Sequence, residues 1–383
     1  MAVPAFPYHS RVTSVRATAI ELGLDAVVVT HPANVRYLSG FVGTAGALVI
    51  DRQRWTLIVD FRYLTFGREL QSTQDELTSM NVLLAERSED ETIVDLLRST
   101  GAQRIGIEAA SMSVARFNRL STALAAGAPT PLNADAPCPV LVAGDRIVER
   151  SRIIKDTMEI ETIRRAGLLL SRVARALMPD VVRAGRREVD VATDIDRAMR
   201  EAGFDRPAFE TIVASGPQSA LPHARPTARV LHVGDPVLLD FGGVYDGYCV
   251  DLTRTVQLGP STAEFRRMFA AVAAAHDAAI GAVRPGVLTA DIDYAARQVL
   301  EAHGLGDAFG HGTGHGLGLE VHEEPRISKR DPGRPPTAVE CGMVFTIEPG
   351  AYVPGFGGVR LEDDVLVTAD GCEVLTQVPN EIG

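Results

Sequence analysis

Apolar residues gather in short runs over the first third of the chain, and helix-periodic stretches fall between them. Asp25–Thr30 (DAVVVT), Gly46–Asp51 and Trp55–Asp60 have the length and β-branched content of buried strands, and Asn81–Ala85 and Arg104–Glu108 add two more. Arg11–Leu22, Glu91–Arg98 and Val114–Ala125 have helical character. Strands alternating with helices predict an α/β domain. Ala128–Val140 then holds four prolines and little periodicity, which marks a domain boundary. We place the two domains at 1–145 and 146–383.

Beyond the boundary the pattern changes. Ile160, Ile163, Gly167, Leu170, Val173, Ala174 and Leu177 recur at helical spacing after Asp156, and Pro179 and Gly185 bound that helix. Two more helices are expected at Glu188–Ala202 and Thr262–Val283. Strand-like runs interleave at Pro236–Phe241, Tyr248–Val256, Met343–Glu348 and Gly358–Val367. The second domain therefore reads as α+β with hairpins. No internal repeat or low-complexity tract stands out.

Length agrees with two domains, since 383 residues exceed the roughly 150 typical of one. Hydrophobic residues make up 46% and charged residues 23%, an ordinary globular balance. The formal charge of -11 comes without any basic run, which argues against a nucleic-acid partner. No apolar run approaches the ~20 residues that span a bilayer, so no membrane partner is expected. Cys138, Cys249, Cys341 and Cys372 fit no zinc spacing, and no signal layout opens the chain. Reduced thiols in a cytoplasmic protein are the expectation.

Four segments carry candidate chemistry. In Val237–Thr255 the pair Asp246-Gly247 is a favoured two-residue hairpin turn, because both central positions need positive φ. With that turn, Tyr245 faces Tyr248 and Asp240 faces Thr253. Asp240 and Asp251 become diagonal cross-strand neighbours about 7–8 Å apart. Two carboxylates so placed repel, and a dication between them removes the conflict. Either aspartate alone could be a strand-end residue, but Asp240 follows the apolar run Val237–Leu239 and there needs a partner.

The segment His311–His322 places three histidines among four glycines, a composition that disfavours helix and suits close approach to a ligand or ion. Glu348 ends an apolar run and precedes Pro349. Glu362 lies in Gly358-Val-Arg-Leu-Glu-Asp-Asp364, beyond the Gly- and Pro-rich stretch 354–358. A hairpin would bring Glu348 and Glu362 to one end of a sheet. Spacing does not choose among Glu362, Asp363 and Asp364. His223 lies between Pro222 and Pro226 in an expected loop, where a lone histidine is ordinarily just exposed.

The ordered set Asp240-Phe-Gly, Asp251-Leu-Thr-Arg, His311-Gly-Thr-Gly-His-Gly-Leu-Gly318, Ile347-Glu-Pro-Gly and Arg360-Leu-Glu-Asp resembles the creatinase/aminopeptidase P/prolidase family of metallopeptidases, family M24. Asn34-Val-Arg-Tyr-Leu-Ser-Gly-Phe41 with Gly43-Thr-Ala-Gly46 is similar to its aminopeptidase P and prolidase branch. The resemblance implies a creatinase-type α/β N-terminal domain and a "pita-bread" α+β catalytic domain. It implies five metal ligands, Asp240, Asp251, His315, Glu348 and Glu362, holding two divalent ions. An oxygen-rich set favours Mn²⁺, with Co²⁺, Fe²⁺ or Zn²⁺ as alternatives.

The implied reaction is hydrolysis of an Xaa-Pro bond in a dipeptide or short peptide by a metal-bridging hydroxide. Glu348 is the candidate general base. His322, His311 and His223 line the substrate side, while Thr253 and Arg360 orient Asp251 and Glu362 behind it. Arg326 matches an arginine that binds a dipeptide carboxylate in prolidases, and an exposed loop arginine is the plain alternative. A homodimer is implied as well. Three rivals keep the fold: a metal-free enzyme like creatinase, a metal-dependent hydrolase or lyase of a small molecule, and a non-catalytic binding protein. The intact ligand set speaks against the first and third.

Overall fold

The computed structural model describes residues 6–126, 138–144, 146–333 and 335–380. Its internal contacts divide the chain into two units, Met1–Arg152 and Ile153–Gly383. Asp145, at the expected boundary, and most of the proline-rich stretch before it lie outside the described residues.

The first unit holds strands β1 (Ala26–Val29), β2 (Ala47–Asp51), β3 (Trp55–Val59), β4 (Asn81–Leu84), β5 (Arg104–Glu108) and β6 (Val140–Gly144). They form a mixed sheet in the order β4-β3-β2-β1-β5-β6. Helices α1 (Tyr8–Glu21), α2 (Pro32–Ser39), α3 (Leu64–Thr73), α4 (Glu89–Thr100) and α5 (Val114–Ala126) connect them. The buried faces of Val28, Val49 and Ile58 pack with Ile93, Leu97, Leu120 and Leu124, the apolar stripes of α4 and α5. The α/β expectation rested on these same runs. The motif beginning at Asn34 forms α2, whose entry is held by a buried carboxylate. Glu108 accepts from the backbone of Thr30 (2.6 Å) and His31 (2.8 Å) and from Asn34 Nδ2 (2.7 Å).

A short helix, α6 (Glu149–Ile153), spans the division. The second unit begins with α7 (Thr157–Val181), whose N-cap Asp156 forms a capping box with Glu159. The helix ends at Val181, between the Pro179 and Gly185 that the sequence set as its bounds, with Pro179 inside its last turn. Then come α8 (Glu188–Ala202), the short β7 (Arg206–Pro207), β8 (Ile212–Ser215), β9 (Pro236–Tyr245) and β10 (Tyr248–Gln257). Helices α9 (Ala263–Ala282) and α10 (Thr289–Ala302) precede β11 (Gly314–Gly316), β12 (Glu323–Ile327), β13 (Val344–Ile347), β14 (Gly350–Val353), β15 (Gly357–Arg360), β16 (Asp363–Val367) and β17 (Cys372–Val374). One sheet runs β10-β9-β7 with β8 also on β9; a second runs β12-β11-β13-β16-β17; β14 and β15 pair as a hairpin. A bridge between Thr253 and Glu362 ties β10 to the residue before β16.

The predicted single run Gly358–Val367 is thus two strands, broken at Leu361-Glu362. Glu362 sits between the two pairings Gly350↔Arg360 and Ile347↔Asp363, opposite the equally placed Glu348.

The unit also contains an internal repeat that pattern reading missed. Gly185 N donates to Leu231 O (2.9 Å), Leu231 N to Arg186 O (2.8 Å) and Glu188 N to Arg229 O (3.0 Å). The same ladder recurs as Gly286 N to Val339 O (2.8 Å), Val339 N to Val287 O (2.8 Å) and Thr289 N to Thr337 O (3.0 Å). Val182-Arg-Ala-Gly185 and Val283-Arg-Pro-Gly286 are its sequence trace. That trace is too short to stand out without the backbone pairing. Among the described residues no helix is long and apolar enough to cross a membrane.

Candidate metal centre

The β9–β10 hairpin folds about Asp246 (φ 46°) and Gly247 (φ 79°), the two positive φ values of a type I′ turn. Its register pairs Tyr245 with Tyr248, Asp240 with Thr253 and Asp251 with Gly242. Asp240 and Asp251 are therefore diagonal neighbours on one face, both buried. Glu362 reaches the same place from the break before β16. Ligand atoms of Asp251, His315 and Glu362 all lie within 4.8 Å of one another.

The glycine-rich segment brings His315 in by close approach. A Cβ on Gly314 would lie 1.9 Å from the Thr346 carbonyl oxygen, so only glycine lets β11 lie there. His315 Nδ1 is 3.1 Å from the Gly316 carbonyl. As the donor in that contact, Nδ1 leaves Nε2 with a free lone pair, 3.8 Å from Glu348 Oε1. Burial, with His322 close by, lowers the His315 pKa to about 4, so the ring is neutral.

The carboxylates show the strain of sharing one buried place. Burial and then the neighbouring Asp240 push Asp251 well above the usual carboxylate range. Burial and then Asp251 do the same to Glu362, and burial raises Glu348 to about 7 against the opposing charge of Arg360. Arg360 donates to Asp240 Oδ2. The other oxygen, Asp240 Oδ1, is buried with no hydrogen-bond partner. A buried anionic oxygen without a donor, beside three more carboxylates and a neutral imidazole, fits a divalent cation in the donor set and in charge.

The surrounding shell was only partly expected. Thr253 Oγ1 donates to Glu362 Oε2 (2.5 Å). Arg360 is bonded to Asp240 rather than to Asp251 or Glu362. Its Nη1 also donates to Tyr352 Oη (2.8 Å), and that hydroxyl faces His311 Nε2 (2.9 Å). Arginine only donates, so the Tyr352 proton goes to His311. His311 Nδ1 in turn donates to Gly312 O (2.7 Å). Burial lowers the His311 pKa to about 4 and raises Tyr352 to about 12, so this chain is neutral between Arg360 and Gly312.

His322 is exposed, with its ring centroid 4.3 Å from that of His315. Arg326, also exposed, lies within electrostatic reach of both rings, and His223 within reach of His311 and His322.

Sequence reasoning missed several supports. The three consecutive acids at the β16 start separate by partner. Asp363 pairs with Arg254 (2.8 Å), and Asp364 accepts the Asp251 backbone N–H (2.9 Å). Arg254 also donates to the Glu362 carbonyl (2.6 Å). Asp293 and Arg297, four residues apart on α10, hold the histidine loop from behind. Asp293 accepts from Thr313 N (3.1 Å) and Oγ1 (2.9 Å), while Arg297 reaches Phe309 O (3.0 Å) and His311 O. Lys155 anchors Glu323 (3.1 Å), next to His322. The i, i+4 Asp–Arg spacing on α10 was readable as a helix pair; its target was not.

Comparison with known proteins gives the family. Residues 161–369 match the model of metallopeptidase family M24, and residues 11–148 match the creatinase/prolidase N-terminal domain. The chain is 34% identical over 363 residues to an Xaa-Pro dipeptidase of Pyrococcus furiosus, covering 94% of this chain and 96% of that protein. Its fold matches the structure of an Xaa-Pro dipeptidase from Bacillus anthracis with a TM-score of 0.89 and 31% identity, over 98% and 99% of the two chains. It also matches an X-Pro aminopeptidase from Thermotoga maritima with a TM-score of 0.82 and 31% identity, over 95% and 99%. M24 membership implies bound divalent metal ions, which the donor set above suits. By its pita-bread catalytic unit, its creatinase-type N-terminal domain and its family match over more than half its length, this chain belongs to metallopeptidase family M24.

Proposed function

We propose that the protein hydrolyses the Xaa-Pro bond of dipeptides or short peptides, using two divalent ions held by Asp240, Asp251, His315, Glu348 and Glu362. The observation that carries this reading is the cluster of Asp251, His315 and Glu362, with Glu348 Oε1 3.8 Å from His315 Nε2 and an orphaned buried oxygen on Asp240. Four carboxylates match the charge of two dications. Mn²⁺ suits the oxygen-rich set. When bound, the ions supply a Lewis acid for the scissile carbonyl and an acidified water as nucleophile.

The chain's own residues do the rest. Glu348 takes the proton of the attacking water at its carboxylate and returns it to the proline nitrogen as the bond breaks. That nitrogen must be protonated to leave, because an amide anion is too basic to be expelled and the group departs as the neutral amine. His322 donates to the developing oxyanion. His311 and His223 hold the proline side, and the neutral state of His311 keeps cationic charge away from Arg360. Thr253 and Arg360 fix Glu362 and Asp240 in their orientations. Arg326 binds the free carboxylate of the residue beyond the cut, a reading supported by its exposure and its electrostatic reach to His322. This favours a dipeptide over a longer peptide. A homodimer is part of the proposal, by likeness to the family.

Hydrolysis of Ala-Pro beside Ala-Pro-Ala by Mn²⁺-loaded protein, with a chelated control, tests it. Chelator-sensitive cleavage of the dipeptide supports the dipeptidase reading. Cleavage of the tripeptide with the dipeptide poor makes the enzyme an aminopeptidase. Inactivity on both, with two metals bound, removes the peptidase reading and favours hydrolysis of a small molecule on the same centre.

A further inference from the structure

His223 is carried by a loop, residues 216–226, that contains three prolines. The two ends of that loop are Ser215, the last residue of β8, and Thr227. Both are fastened to one side chain. Glu188, the first residue of α8, is fully buried at 0% exposure. Its Oε1 accepts from Ser215 N (2.8 Å) and Oγ (2.7 Å). Its Oε2 accepts from Thr227 N (3.0 Å) and Oγ1 (2.7 Å). Each oxygen takes one side of the neck and satisfies two donors there.

Arg229 supplies the balancing charge. It donates to Ser215 Oγ and pairs with Asp235 at 2.7 Å. A glutamate in a first helical turn is ordinarily explained by the helix dipole, but that role needs no contact with residues from two other segments. The loop is attached again further in: Arg360 Nη1 donates to Pro222 O (3.2 Å), and Gly358 N to Ser219 Oγ (2.8 Å). Among the described residues, the neck is thus the place where both arms of the loop are held by the same group. Proline-rich arms transmit that constraint, because each proline removes a backbone rotation.

We infer that Glu188 is a positioning residue, closing the neck of the 216–226 loop and so holding His223 at the substrate side of the metal centre. The inference rests on the reading of His223 given under the proposed function. It assigns to a fully buried carboxylate, remote in sequence from every candidate ligand, a share in substrate placement.

The test combines hydrogen exchange with a double-mutant cycle on Mn²⁺-loaded, full-length protein. Glu188→Gln keeps the side-chain shape and turns one acceptor oxygen into a donor facing donors. It should speed amide exchange across 216–226, leave two metals bound, and lower kcat/KM for Ala-Pro by roughly tenfold to a hundredfold, the range that loss of alignment costs. In a His223→Ala background the same substitution should change kcat/KM by less than about threefold, because the group it positions is gone. Equal losses in both backgrounds, or unchanged exchange in the loop, would overturn the inference. Full activity of His223→Ala would sink the reading of His223, while the exchange result separately upholds or overturns the closure by Glu188. Should Glu188→Gln fail to fold, Thr227→Val removes one donor, keeps the carboxylate, and is expected to show the same changes in smaller measure.

Discussion

At the scale of single residues, neighbours decide what each side chain can do. Arg326 is exposed and within reach of His315 and His322, so its value lies in a ligand rather than in the fold. Arg326→Ala is expected to raise KM for Ala-Pro by roughly ten- to hundredfold, the worth of one charge-assisted contact, and KM for a longer peptide by less than about threefold. Steady-state kinetics on both substrates check this; equal effects would remove the carboxylate role. His311 makes a different prediction. Burial lowers its pKa to about 4, below the ordinary value near 6.5, so the unfolded chain binds the proton more readily in between. Its stabilising contribution is complete above pH ~6.5 and is lost as pH falls towards 4. Urea melts of metal-free protein at pH 4.5 and 7 should show His311→Gln losing more stability towards pH 7 than the parent protein, by up to about 3 kcal/mol, because the gain that the ring contributes over that range is missing. An unchanged slope would mean that the ring is not held neutral by the fold.

Elements place these residues by two different uses of glycine. Gly247 is needed for its backbone angle, since φ of 79° strains any residue with a Cβ. Gly247→Ala should cost roughly 1–2 kcal/mol of stability while leaving the metal content unchanged, because the long β9–β10 ladder still sets the register. Gly314 is needed for space. Gly314→Ala puts a carbon 1.9 Å from Thr346 O, so β11 must shift and take His315 with it. Here the expected loss is in activity and metal affinity, at least about a hundredfold in kcat/KM. Metal analysis and kinetics on the two variants separate the cases. The hairpin was legible in the sequence because Asp246-Gly247 is a local signal and strand alternation does the rest. The break at Leu361-Glu362 was not. Apolar residues on both sides of it, Val359 and Leu361 before and Val365 to Val367 after, read as one run, and only the pairing of β15 with β14 and of β16 with β13 reveals two strands.

For the molecule as a whole, the proposed metal ions join chemistry to stability. A chelator would leave Asp240, Asp251, Glu348 and Glu362 facing one another. Burial and mutual repulsion then hold Asp251 and Glu362 above their usual range and Glu348 near 7. Groups raised in this way keep protons in the folded state that the unfolded chain has released, so the metal-free fold loses stability as pH rises from about 4.5 to 7. Thermal melts should show a metal-induced gain in Tm that grows over this range, with protons released on binding. A gain independent of pH would count against the shared carboxylate site.

Local chemistry in the sequence determined much of this protein: the alternating runs of the first unit, the hairpin turn, the five ligand types in order, and hence the family. Those features act over a few residues or recur as motifs, so a linear reading reaches them. Tertiary structure alone decided which of three consecutive acids faces the others, that Arg360 serves Asp240 through a chain ending at His311, and that the fold repeats itself between 185–231 and 286–339. It also decided that Glu188, Asp293 and Lys155 tie down the loops of three histidines. The repeat rests on main-chain pairing between distant segments; the other three share one physical reason. A buried charge takes whatever partner the packing brings to it, and that partner stands 20 to 168 residues away along the chain, where no local pattern records it.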